Sequence, residues 1–419
     1  MSAFAAETAG LTAAEPVGVE PQPLPLLVRA PYAVARKCGV GSPRLTPHRL
    51  VQAAARKTGL APKVPTHVED ALEQLCRSLA DDARLHWFGA MNQRTLIVTG
   101  LAALMQVEQA FRDDPSLHDQ ELVPPLIVTG LPRSGTTFLH RLLSASQDAA
   151  SVALYQHVHP VPPRGWDTRR LQTAVMFEPW KRASKAYDLD AIHYVRPGLP
   201  DECNFGMRIG ARSMIFWAMA PVYGYLRWLL GQDLREAYQL YRKVLQLHQR
   251  QAPGRRLTLK CPHHLAWLPA LSEALPEALI VQTHRDPAQV VPSECKLILS
   301  LQAMSTSALD WRRTVAHNHL KVETFAQRSV DFADTPCGRR VRHVDYRRLV
   351  AEPVEIARDI HGHFGLPFSE SHADRLTEFA SQNRQHKRGR NRYSLEQFGL
   401  DKGGVRRAHA SYCERFIDG

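Results

Sequence analysis

At 419 residues the chain exceeds one average domain, and with 44% hydrophobic residues it can bury a large core. A formal charge of +12 points to a polyanionic partner: nucleic acid, an anionic surface, or a small ligand with several phosphates. The seven cysteines are odd in number and include no CxxC pair, which argues against a disulfide framework and a zinc site and fits a reduced, cytoplasmic setting.

Residues 1–28 are rich in Ala, Pro and Glu, carry no Lys or Arg before Arg29, and lack the basic start and apolar centre of a secretory signal. A disordered tail is expected there. Residues 29–120 form a helical N-terminal extension, in which EDALEQLCRSLADDARLHWF places leucines at helical spacing, suited to packing against a sheet edge. Within it, LIVTGL at 96–101 runs on into AALMQVEQAF with no glycine turn, no hydroxyls and no cation. That copy reads as a helix or buried segment without chemistry.

The same hexapeptide returns at 126–131, now inside LIVTGLPRSGTTFLHRLLS, and opens an α/β domain over 121–419. An apolar run of strand length ends at Gly130 and turns through Leu131, Pro132, Arg133, Ser134 and Gly135. A helix starts at Thr136, with Phe138, Leu139, Leu142 and Leu143 at helical spacing. Glycines let the backbone turn tightly against an anion, and unpaired amides at a helix start point their dipoles at it. Ser134, Thr136 and Thr137 add hydroxyl donors, and Arg133 adds a planar cationic fork. The spacing from Gly130 to Gly135 is that of a P-loop, but Thr136 stands where an NTPase carries its lysine. The loop therefore suits phosphate-like groups other than ATP.

Residues 166–250 read as a mostly helical cover over an acceptor site, clearest in DLREAYQLYRKVLQLHQRQ. The apolar stretch MIFWAMAPVYGYL at 214–226 holds Pro221 and Gly224, precedes Arg227, and is too short to span a bilayer, so no stable membrane insertion is expected. It reads as a buried core helix or as a pocket wall built from Phe216, Trp217, Tyr223 and Tyr225.

RLTLKCP at 256–262 is a strand pattern ending in Lys260. A helix, HLAWLPALSEAL, and a second strand, ALIVQT at 278–283, follow it. This alternation is a βαβ unit and implies a P-loop-like parallel sheet flanked by helices. His284, Arg285, Asp286 and Pro287 come straight after that strand, with Ser293 on the next helix. Ligands of such sheets collect at the carboxyl ends of strands, where Arg133, Lys260 and Arg285 all fall. VRHVDY at 341–346 is a further strand candidate, and RRLVAEPVEIARDIHGHFGL reads as one helix ending at Gly365. The loop RQHKRGRNRYSLEQFGL at 384–400 carries Arg384, Lys387, Arg388, Arg390 and Arg392. Alone it would suit a solvated face or a nucleic-acid arm, but beside three other cationic sites a small polyanion fits better.

Together GLPRSGTTFLHRLLS, LKCPHHLAWLPAL, THRDPAQVVPSECKL and RYSLEQFGL resemble, in order and spacing, the sulfotransferases that use 3′-phosphoadenosine-5′-phosphosulfate (PAPS), in particular a bacterial branch distantly similar to tyrosylprotein sulfotransferases. The resemblance runs from Ala54 to about Phe416. It implies that PAPS is the sulfuryl donor, that no metal or nucleic acid is needed, and that Arg133, Ser134, Gly135, Thr136 and Thr137 hold the 5′-phosphosulfate. Arg285 and Ser293 then grip the 3′-phosphate, Lys387 and Arg388 clamp it, and Lys260 stabilises charge near the sulfuryl group. The acceptor is a small molecule or other hydroxyl-bearing compound whose identity is not legible.

In that branch a Trp-Glu pair after the loop helix supplies the base, but here Tyr155 and Gln156 stand in those places, and Gln156 cannot take a proton. His157, His159, His263, His264 and Glu202 are the replacements considered. Both His263 and His264 follow the strand end at Lys260; the resemblance favours His264, which matches the histidine that branch carries after Lys-x-Pro, over His263, whose spacing is closer to the catalytic histidine of cytosolic sulfotransferases. Two rivals remain. A P-loop kinase would need a lysine at the Thr136 slot and a magnesium-holding aspartate, for which Asp286 is the near candidate. A non-catalytic PAPS-binding or nucleic-acid-binding protein would explain Gln156 as lost catalysis.

Overall fold

The computed structural model describes residues 41–146, 148–187, 194–383 and 394–418, with positions 25, 26, 30, 33, 34, 37 and 189 besides. Lys387, Arg388 and nearly all of the N-terminal tail lie outside the described residues.

Three N-terminal helices come first: α1 (Pro47–Thr58), α2 (Thr66–Asp81) and α3 (Trp87–Asp113). Gly59 ends α1 in the left-handed region, at φ +72°, and its N–H returns to Ala55 O. His86 caps α3 by accepting from the Gly89 amide at 3.1 Å. The first LIVTGL lies in the middle of α3, with Ile97, Val98 and Leu101 buried and the Thr99 hydroxyl bonded back to Thr95 O at 2.7 Å.

The second LIVTGL forms the central strand. Five parallel strands, β1 (Leu126–Gly130), β2 (Ala149–Ser151), β3 (Arg256–Lys260), β4 (Leu279–His284) and β5 (Arg342–Asp345), pair in the order β2-β3-β1-β4-β5. Leu126 lies opposite both Thr258 and Leu279, and Gly130 opposite Thr283. Strand alternation splits the residues of β1 between two cores. Leu126 and Val128 join Leu139, Leu142, Val281 and Ile356 on one face, while Ile127 joins the larger core with Leu257, Leu259 and Val290 on the other. Each such side chain, fully buried, contributes about 1.5–3 kcal/mol.

Helices α4 (Thr136–Leu143), α5 (Leu154–Val158), α6 (Arg169–Ser184), α7 (Tyr223–Leu230) and α8 (Arg235–Gln251) lie between β1 and β3 in the chain. The apolar stretch at 214–226 is not one helix. Pro221 interrupts it, leaving Ile215–Met219 and α7. Phe216, Trp217 and Tyr225 are fully enclosed, so the segment is core and not an open pocket wall.

After β4 come α9 (Pro287–Ala303) and α10 (Trp311–Ala333). After β5 come α11 (Tyr346–Ala351) and α12 (Pro353–His363). The sequence reads these last two as one helix, but Pro353 lacks an N–H and forces Glu352 out of helical geometry, to φ −133° and ψ 56°. Helix α13 (Glu370–Gln382) follows, and the C-terminal helices α14 (Lys402–Ala408) and α15 (Ala410–Phe416) close the chain. Arg406 ties α14 to Asp286 after β4 at 2.7 Å. Among the described residues, no helix is long and apolar enough to cross a membrane.

Candidate active site at the strand ends

At the end of β1 the chain needs glycine for two separate reasons. Gly130 sits at φ +143°, and a Cβ there would lie 2.4 Å from both the carbonyl and the hydroxyl oxygen of Thr283. Gly135 sits at φ +93°, and its Cβ would meet the Tyr346 ring at 2.9 Å. Between them Arg133 also takes a positive φ, of 67°, which turns successive amides toward one concave side. Helix α4 begins at Thr136 in the same concavity, and its first amides have no intrahelical acceptor.

Ser134 has a different place from the one its sequence position suggests. It is fully buried, its amide bonds Leu131 O at 3.1 Å, and its hydroxyl donates to Leu131 O and meets Thr283 Oγ1, each at 2.6 Å. Ser134 therefore ties the loop to β4. Thr136 is buried as well, whereas Thr137 and Arg133 reach partly into solvent.

The loops after β1 and β4 converge. Arg133 Nε donates to Ser293 Oγ on α9 at 3.2 Å, and Arg285 Nη1 donates to Arg133 O at 2.9 Å. Strand β1 connects toward β2 and its neighbour β4 toward β5, so this is the topological switch point of the sheet, where open α/β folds hold ligands. The Arg285 guanidinium also lies 4.2 Å from the centroid of the Tyr346 ring. Sequence reading passed over Tyr346, although it directly follows β5 and the strand-end rule applied to the other loops would have found it. Asp286 caps α9, accepting from Ala288 N at 2.9 Å, and is held by Arg406, so it is committed away from the magnesium role of the kinase reading.

A second polar group lies at the end of β3. Lys260 is only 2% exposed, and its Nζ lies 2.7 Å from Glu202 Oε1. The other oxygen of Glu202 accepts from Asn204 Nδ2 at 3.1 Å, and the Glu202 amide donates to Asp201 Oδ1 at 2.6 Å. Burial pushes the Asp201 carboxyl up to about 6. His263 Nδ1 bonds Asn204 Nδ2, and burial, aided by the Lys321 ammonium, lowers the ring to about 3. Glu202, Cys261 and His263 bring possible ligand atoms within 4.8 Å of one another, but the Lys260 ammonium already holds that carboxylate.

His264, beside it, points elsewhere. It has no exposed surface, its Nδ1 bonds Tyr238 Oη at 2.8 Å on α8, and burial lowers it to about 3. Lys260, Glu202, Asn204 and His263 are thus together, and His264 faces the packing layer behind them. Gln156 Oε1 accepts from the Ala153 amide at 2.9 Å and caps α5. His157 is buried, and His159, half-buried, is lowered to about 4 by burial and by Arg208.

The sequence profile of the sulfotransferase family matches residues 124–370. The crystal structure of sulfotransferase STF1 from Mycobacterium tuberculosis is similar with a TM-score of 0.70 at 26% identity, over 88% of this chain and 99% of that one. The crystal structure of sulfotransferase STF9 from Mycobacterium avium has a TM-score of 0.76 at 23% identity, over 89% of this chain and 97% of that one. No curated protein matches the chain by sequence.

Proposed function

The chain belongs to the sulfotransferase family, and we propose that it moves a sulfuryl group from PAPS to an acceptor hydroxyl. The observation that carries this reading is the meeting of Arg133, Arg285 and Ser293 at the switch point, a cationic site suited to a nucleotide with phosphates at both ends. The amides of Gly135, Thr136 and Thr137, with Arg133, would hold the 5′-phosphosulfate. Arg285 and Ser293 would hold the 3′-phosphate, with Lys387 and Arg388 as further clamps.

In the reaction the acceptor oxygen attacks sulfur, the bond from sulfur to the bridging oxygen of the 5′-phosphate breaks, and 3′-phosphoadenosine-5′-phosphate leaves. Charge grows on the bridging oxygen, where Lys260 and Arg133 are the available cations; preorganised donors of this kind contribute about 2–4 kcal/mol each. The acceptor proton needs a base. We assign it to Glu202 in place of His264, because Glu202 shares the strand end with Lys260 and keeps some exposure, at 16% of its side chain, whereas His264 has none. Lys260 then has two anions to serve, the carboxylate and the leaving oxygen. Their alternation would free Glu202 to take the proton as the donor binds.

Titration calorimetry tests the reading. 3′-Phosphoadenosine-5′-phosphate should bind at least about tenfold more tightly than ATP or adenosine 5′-monophosphate, since each charge-assisted contact to the 3′-phosphate adds about 1.5–3 kcal/mol. Glu202→Gln should retain that affinity and lose turnover of labelled PAPS in an acceptor screen. Equal affinity for the three nucleotides would overturn the donor site, and full activity in Glu202→Gln would overturn the base.

A further inference from the structure

Large apolar side chains are rarely left in solvent in this molecule, yet three of them fall within ten residues of one another. Trp166 is 94% exposed, Leu171 66% and Val175 67%. Leu171 and Val175 are four apart on the outer face of α6, and Trp166 stands on the loop leading into it. Contiguous exposed apolar surface of this kind marks an interaction site. Apolar character also continues inward, because α6 borders a small open recess lined by Leu154, Phe177, Trp180, Val195 and Pro197, with Glu178, Lys181 and Arg196 at its polar side.

The charges around the patch decide what it fits. Residues 164–185 contain six basic side chains, Arg164, Arg169, Arg170, Lys181, Arg182 and Lys185, against two acidic ones, Asp167 and Glu178. Asp167 is paired with the buried Arg169 at 2.8 Å, Glu178 with Arg182 at 2.9 Å and Lys181 at 3.7 Å, and the almost fully exposed Arg164 lies 3.7 Å from Asp113, so the rim stays net basic. What faces outward is therefore Trp, Leu and Val rimmed by Arg and Lys. Indole belongs at the boundary between headgroups and acyl chains, and long basic side chains can reach the phosphates from there.

We propose that the loop before α6 and the outer face of α6 dock the protein reversibly on an anionic lipid surface. Apolar wedges enter the interface while Arg164 and Arg170 meet the headgroups. Nothing in this docking requires a membrane-spanning helix, and it does not depend on which reaction the site performs.

Co-sedimentation with lipid vesicles tests it, with the full chain as the protein. Vesicles containing about 30% phosphatidylglycerol should bind the chain at least about tenfold more strongly than pure phosphatidylcholine vesicles, and added salt should weaken the binding. The combined variant Trp166→Ser, Leu171→Ser, Val175→Ser should lose about tenfold of that binding with an unchanged melting temperature, because none of the three side chains is buried. Arg164→Glu with Arg170→Glu should abolish the preference for anionic lipid. The proposal is overturned if neutral and anionic vesicles bind alike or if the triple-serine variant binds like the wild type. It is also overturned if the wild type ignores vesicles and is instead a dimer that the same variant splits, which would make the patch a contact between copies.

Discussion

The six residues LIVTGL occur twice, and the two copies do opposite things. At 126–131 they form the central strand of the sheet and aim the chain into the anion loop; at 96–101 they are two turns of α3. Composition cannot account for the difference, so the flanks must. Pro124 and Pro125 precede the strand copy and keep any upstream helix from running into it, and Pro132 biases Leu131 at its end towards extended geometry. The helix copy lies within a proline-free stretch rich in good helix formers, above all AALMQVEQAF after it, with no proline until Pro115. Tertiary contacts then specialise each residue. Gly130 lets the chain pass against Thr283, whereas Gly100 lets α3 pass close to Arg208, where a Cβ would lie 3.0 Å from Arg208 O.

Equivalent substitutions in the two copies should therefore have unequal effects, and the largest belongs to Gly130→Ala. Its Cβ would collide with backbone and side chain at a φ that alanine avoids, so chemical denaturation should show a loss of about 3 kcal/mol or more, together with loss of nucleotide binding. Wild-type stability and affinity would show that the strand copy tolerates what the geometry forbids.

Acid should act next, from the side of the helix copy. Arg208 packs on Gly100 and donates to His157 O, and the His157 ring lies edge-on to that of His248, whose ring nitrogens find no hydrogen-bond partner among the described residues. Burial lowers His248 to about 3, below the ordinary 6.5, so the unfolded chain binds the extra proton between those values. Stability is thus fully present above about pH 6.5 and falls as the pH drops toward 3, by up to about 1.4 kcal/mol per pH unit from this one residue. His248→Leu should flatten the dependence of denaturation free energy on pH over that window by about one proton. An unchanged slope would mean that His248 is not held neutral.

The threonines sharpen the contrast on a smaller scale. Thr129 is fully buried, and its hydroxyl donates to Cys261 O at 3.0 Å across the sheet, so Thr129→Val should cost about 1–2 kcal/mol. Thr99 donates to its own helix and accepts only a long contact from Arg208 Nη2 at 3.4 Å, so Thr99→Val should cost about 1 kcal/mol or less. A smaller effect than that of Gly130→Ala is expected for Gly100→Ala, where the gain in helix propensity of about 1 kcal/mol opposes tight contacts with the Arg208 carbonyl oxygen at 3.0 Å and its side chain at 3.2 Å, at a φ that alanine adopts freely. Thermal denaturation should place it within about 1 kcal/mol of the wild type, and a loss as large as that of Gly130→Ala would erase the distinction.

The same contrast explains what the sequence made legible. Strand β1, its loop, β3 with Lys260, and β4 with Arg285 each combine an apolar run with a cation at its end, and that pattern is local. Strand β2 is three residues, Ala149 to Ser151, with no pattern of its own. The inward turn of Ser134 depends on Thr283, a partner 149 residues away. Adjacent histidines in a tight 3₁₀ turn face different layers, which residue order cannot reveal. Glu202 comes to Lys260 from 58 residues upstream, on a loop without periodicity, so the sequence could list it among the candidates but could not rank it. Apolar spacing alone predicts one helix over 347–365, whereas Pro353 divides it in two.

The pairing register of β1 also sets an order of events during synthesis. Its neighbours, β3 and β4, begin at Arg256 and Leu279, so the central strand leaves the ribosome with neither flank available. At roughly 5–20 residues per second, translation takes about 8–30 s to pass from Gly130 to His284, and the loop cannot be held in shape before then. Helix α3, whose hydrogen bonds are all local, can form within that interval. The nascent chain thus carries one LIVTGL already held in a helix and another still exposed as an unpaired strand, the copy a chaperone would need to protect.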